Sequence, residues 1–155
     1  MSASSHDTPW VEGMTIGQAL RATAQRFPEH DAFVFMQDSR RATYRQFDEQ
    51  VDAVARGLLA VGLKKGDHLA VWSTNHAPWV LLQFAYRSHE LEYALKQSDA
   101  TALALIDRFK TSSYFDILAE VCPQLARSEP GKLDADKFPK LRWVISLSTA
   151  APPGT

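Results

Sequence analysis

Three short apolar runs, Leu69–Trp72, Thr101–Ile106 and Leu141–Leu147, limit what the second half of this chain can fold into. Each is too short for an ordinary helix and shows little alternation of polar and apolar residues, the pattern of strands covered on both faces. Helical patterns lie between them. Asn75 is a candidate N-cap for a helix carrying Trp79, Leu82 and Tyr86, while Tyr114, Phe115, Leu118 and Val121 line another that Pro123 stops. Parallel strands need a crossover of a dozen or more residues, usually a helix. The alternation therefore predicts an α/β fold with a partial, mostly parallel sheet and flanking helices.

One step breaks the rhythm. Between the runs at 69–72 and 101–106, two helical segments meet with no strand between them. The second opens at Ser88, with Glu90 and Glu92 near its positive end and Leu91 and Leu95 on its inner face. Their join, Phe84-Ala85-Tyr86-Arg87, contains no turn signal, and a regular α/β layout would place a strand there.

The first half is helical around a small hairpin. Thr15-Ile-Gly-Gln18 and Thr43-Tyr-Arg-Gln46 both have capping-box spacing, a hydroxyl at the N-cap and an amide three residues on. The first box opens a helix striped by Ile16, Leu20, Ala24 and Phe27 and closed by Pro28. The second opens the strongest helical pattern, with Phe47, Val51, Val54 and Leu58 on its buried face. Gly62 follows where a left-handed cap is wanted, with Leu63 as its hydrophobic contact. Residues 32–36 and 41–43 form the expected hairpin. The organisation is then a leader (1–14), helices plus hairpin (15–65), an α/β part (66–147) with 124–140 as polar loop, and a tail (148–155).

Seventeen Lys and Arg against 18 Asp and Glu give a formal net charge of −1, which excludes bulk electrostatics as a route to nucleic acid or an anionic membrane. A single cysteine, Cys122, makes neither an internal disulfide nor a thiolate metal cage. No run reaches the roughly 20 apolar residues of a transmembrane helix, and residues 1–10 lack a signal peptide's basic and apolar regions. The expected location is cytoplasmic.

Candidate motifs fail on physical grounds. Gly57 and Gly62 have phosphate-loop spacing, but they lie within and at the end of a helix, whereas phosphate is bound at a helix N-terminus. His89-Glu-Leu-Glu-Tyr93 places tyrosine where a zinc-binding helix needs its second histidine. His6, His30, His68 and His76 show no partner spacing. Lys64-Lys65, Arg40-Arg41 and Arg21/Arg26 read as solvated surface, the four tryptophans (Trp10, Trp72, Trp79, Trp143) mostly as core, and Cys122 as a small buried hydrophobe. No catalytic, cofactor-binding or metal-binding residue is assigned.

An ordered series of segments nevertheless resembles the start of AMP-forming acyl-CoA synthetases, of the adenylate-forming superfamily. It runs through Thr23-Ala-Gln-Arg-Phe-Pro28, Ala32-Phe-Val-Phe35, Thr43-Tyr-Arg-Gln-Phe47 and Val54-Ala-Arg-Gly-Leu58. It continues in Gly62-Leu-Lys-Lys-Gly-Asp67, Asn75-x-x-Pro-Trp79 and Tyr86-Arg-Ser-His-Glu-Leu-Glu-Tyr-Ala-Leu95. Ala104–Tyr114 and Cys122-Pro123 look like the medium- and long-chain fatty-acid branch. The resemblance implies a parent that uses ATP, Mg²⁺ and CoA to turn a fatty acid into an acyl-adenylate and then an acyl-CoA. It also implies two departures: a Gly-Ala-x-x-Val-x-(Asn/Pro)-x-x-Pro strand is missing before Ala85-Tyr86, and the family's phosphate loop, nucleotide motifs and catalytic lysine are absent. Thr43, Tyr44, Asn75 and Trp79 match family positions and are expected to cap, hydrogen-bond and pack. The chain alone is expected to be inactive; the alternative is a stand-alone non-catalytic module that self-associates or pairs with a synthetase.

Overall fold

The computed structural model describes residues 11–37, 39–87, 100–148 and 152–155. Both capping boxes form. Thr15 Oγ1 accepts from the Gln18 N–H at 3.2 Å while Gln18 Oε1 accepts from the Thr15 N–H at 2.8 Å, opening α1 (Ile16–Arg26). After the hairpin of β1 (Asp31–Phe35) and β2 (Arg40–Thr43), Thr43 and Gln46 repeat the arrangement, in the same order, at 3.3 and 3.0 Å to open α2 (Tyr44–Ala60). At the other end of α2 the Leu63 N–H donates to the Leu58 carbonyl at 3.2 Å and the Gly62 N–H to that of Leu59 at 3.0 Å. These bonds reverse the chain through Gly62, at φ +92°, and bury Leu63.

Three parallel strands follow: β3 (Leu69–Trp72), β4 (Ala102–Leu105) and, after the rest of the chain, β7 (Trp143–Ser146), in spatial order β3-β4-β7. Leu69, Ala102 and Trp143 lie in register, as do Trp72, Leu105 and Ser146. The helix α3 (Ala77–Arg87) comes after β3. A small antiparallel hairpin, β5 (Arg108–Phe109) and β6 (Ser112–Ser113), comes after β4 and leads into α4 (Tyr114–Val121). The parallel sheet and flanking helices are those expected. The join at Ala85–Tyr86 lies within α3, and the segment expected to open at Ser88 lies outside the described residues.

The side chains gather into two cores. Leu20, Phe47, Val51, Ala55, Leu81 and Ala85 knit α1, α2 and α3 together, with Phe33 of the hairpin packed on them. Leu105, Phe115, Leu118, Cys122 and Val144 form the second, between the sheet and α4. Side chains alternate along strands, so Leu103, Leu105 and Val144 share the face that meets α4, while Ala102 and Ala104, both fully buried, point the other way.

The apolar stripe of α1 is buried in its middle, with Leu20 and Ala24 inside, while Ile16 and Phe27 at its ends are about 40% exposed. Two expectations need correction. β3 is not a buried strand. It is one of the two edge strands of the described sheet, and its Val71 and Trp72 are half-exposed. Nor is 124–140 simply polar loop. Pro123–Arg127 forms a 3₁₀-helix, and Leu125, Leu133 and Ala135 complete the second core from this segment.

That segment turns at Gly131, at φ +78°, where a β-carbon would lie 2.4 Å from the Trp143 indole. Gly131→Ala is therefore expected to cost about 2–4 kcal/mol, combining left-handed strain with overpacking. Gly62→Ala meets nothing within 4 Å and should cost only the backbone strain, about 1–2 kcal/mol. Urea midpoints of the two variants check the ordering, and an equal loss would mean that the indole does not confine Gly131.

Candidate functional site at the carboxyl ends of the parallel strands

In open α/β sheets ligands bind beyond the carboxyl ends of the strands. Here that edge consists of the turn Ser73–His76 after β3, Ile106-Asp107 after β4 and Leu147-Ser148 after β7. The ladder continues into it, with the Ile106 N–H donating to the Trp72 carbonyl at 3.3 Å and the Leu147 N–H to that of Leu105 at 2.8 Å. Beyond, the Asp107 N–H donates to Ser148 Oγ at 2.9 Å, which ties the ends of β4 and β7 together across 41 residues of sequence. Ser146 Oγ in turn accepts from the Ser148 N–H at 3.2 Å. The Asp107 carbonyl receives the Tyr114 N–H at 2.8 Å, and the Tyr114 ring stacks on Trp72 at 4.4 Å and 13°.

His76 sits one residue later than the predicted cap, Asn75, and its carbonyl accepts the first helical bond of α3, from the Val80 N–H at 3.3 Å. Its Nδ1 lies 2.9 Å from the Thr74 carbonyl and 3.1 Å from Ser73 Oγ. A carbonyl only accepts, so Nδ1 carries a proton. The Nε2 of the same ring is buried and has no partner. The edge thus offers hydroxyls, backbone groups, one imidazole and the Asp107 carboxylate, and it is built to hold hydrogen bonds. Among the described residues no group of three or more His, Cys, Asp or Glu side chains could hold a metal ion. The edge holds one carboxylate, and no residue is assigned to Mg²⁺.

The structure places the other sequence candidates apart from this edge. Gly57 lies within α2 and Gly62 caps it, so neither stands at a helix N-terminus. Thr43 caps α2, Tyr44 packs on the helical core and Trp79 is half-buried in α3; Asn75 alone of these lies in the Ser73–His76 turn of the edge, where it is exposed. His89–Tyr93 and Trp10 lie outside the described residues. Of the remaining tryptophans, Trp79 and Trp143 are partly buried and Trp72 is at the sheet's outer strand, so none is sealed in a core. The roles of His76 and Ser148 were missed by spacing arguments. The usable signal was their position directly after apolar strand runs.

Cys122 is fully buried at the end of α4. Loss of solvent pushes its thiol pKa up, with a smaller opposing pull from the Leu125 backbone N–H. It is expected to resist a disulfide reagent such as dithionitrobenzoate at pH 8 in the folded protein and to react within minutes once unfolded. Because the folded thiol holds its proton longer, stability should be level below the ordinary thiol pKa of about 8.5 and fall as pH rises above it. Rapid labelling of the native chain would show that the thiol is accessible after all.

Three parallel strands in sequential order, flanked by helices and carrying polar residues at their carboxyl ends, define an open-sheet α/β architecture. The chain belongs to the AMP-binding enzyme family, whose model matches residues 20–153. It is similar to the mitochondrial medium-chain acyl-CoA ligases of Mus musculus (40% identity over 161 residues, 95% of this chain and 26% of that protein) and Homo sapiens (41% over 156 residues, 92% and 25%). The chain thus spans about a quarter of the length of these curated relatives. The fold is that of the N-terminal domain of adenylate-forming enzymes. It resembles acetoacetyl-CoA synthetase from Streptomyces lividans (TM-score 0.66, 21% identity, 92% of this chain and 24% of that chain). It also resembles the Mycobacterium tuberculosis fatty acyl CoA synthetase (TM-score 0.63, 21% identity, 85% and 26%).

Proposed function

We propose that this chain is an N-terminal piece of an AMP-forming acyl-CoA ligase and that alone it does not catalyse. The whole ligase joins ATP and a fatty acid into an acyl-adenylate with loss of pyrophosphate, then passes the acyl group to CoA. The observation that carries this reading is the match itself: 95% of the chain aligns with a medium-chain acyl-CoA ligase, yet covers only 26% of it. The matched span runs over 161 residues against 95% of a 155-residue chain, so the relative holds on the order of a dozen residues more there. That difference is of the size of a strand with its turns, the segment taken to be lacking before Ala85-Tyr86.

Adenylation needs preorganised donors and cations around the transferred phosphates. The carboxyl edge described above supplies hydroxyls, an imidazole and one carboxylate, which suit scaffolding near such a site better than neutralising a triphosphate. Pyrophosphate exchange into ATP, with octanoate or dodecanoate and Mg²⁺, tests the proposal. The purified chain is expected to show no acid-dependent exchange, while a full-length medium-chain ligase assayed beside it does. Acid-dependent exchange by the chain alone would overturn the proposal.

The cytoplasmic placement expected from composition gains no support from these relatives, whose names place them in the mitochondrion. No helix among the described residues is long and apolar enough to cross a membrane.

A further inference from the structure

We draw no further inference here: the strongest candidate, the edge of the parallel sheet at β3, where Val71 on one face and Trp72, stacked on Tyr114, on the other are half-exposed, is an apolar edge for which nothing among the described residues shows what covers it.

Discussion

Replacing Phe47 by alanine is expected to lower stability by about 3–5 kcal/mol, the usual loss for a buried aromatic side chain. Phe47 is 4% exposed and meets two other rings edge-on: Phe33 of the hairpin at 5.4 Å and 90°, and Phe84 of α3 at 5.0 Å and 71°. It therefore joins the hairpin to the α2–α3 packing at the centre of this core, and each aromatic pair adds about 0.5–1.5 kcal/mol beyond area burial. A domain holds only about 5–15 kcal/mol in all, so the loss takes most of the margin of α1, α2 and α3. Phe27→Ala is the control. Its ring is 40% exposed and touches Arg26 and His30, and its loss should stay within about 1 kcal/mol. Urea midpoints compare the two. Native-state hydrogen exchange adds where the loss falls: protection should drop in α2 and α3 while β4 and α4, which belong to the other core, keep theirs. Equal losses from Phe27 and Phe47, or a uniform fall in protection, would contradict the division into two cores.

The sequence made local features readable and left tertiary ones obscure, for a physical reason. A capping box is a contact between residues three apart, and the reversal at Gly62 involves residues three and five apart, so spacing alone identifies them. The strand runs were equally plain, because a strand's hydrophobic content does not depend on which neighbour it finds. Whether a strand is central or outermost does depend on that neighbour, and this is why β3 was expected to be buried and is half-exposed. The same reasoning explains the ends of α1, where Ile16 and Phe27 keep the helical period but stay about 40% exposed. The carboxyl edge was least readable. Asp107 and Ser148 are joined only because β4 and β7 are adjacent, and the Nδ1 proton of His76 is set by a carbonyl two residues earlier that shows no pattern in sequence. Family membership came from a different source, an ordered series of segments spread along the chain, and the comparisons bear it out.

Residues 124–140 teach the sharpest form of that lesson and carry the second large prediction. Averaged over its length, the segment is polar and broken by Pro130, Gly131 and Pro139, which is why it reads as loop. Averaging hides single anchors. Leu133 is only 2% exposed and sits with Leu105, Leu125 and Leu141 in the core beneath the sheet. Its carbonyl accepts from the Arg142 guanidinium at 3.2 Å, and its N–H donates to the Arg142 carbonyl at 3.4 Å, so the backbone there is tied to the approach to β7. Leu133→Ala should therefore cost about 2–5 kcal/mol through lost burial and the cavity left behind. Leu59→Ala, on the outer side of α2 at 52% exposure, should change stability by less than about 0.5 kcal/mol. Hydrogen exchange in the Leu133 variant should show the converse of the Phe47 pattern, with α4 and β7 losing protection before α2. If Leu133 proved as tolerant as Leu59, the segment would be the loop its composition suggests, and the second core would end at α4.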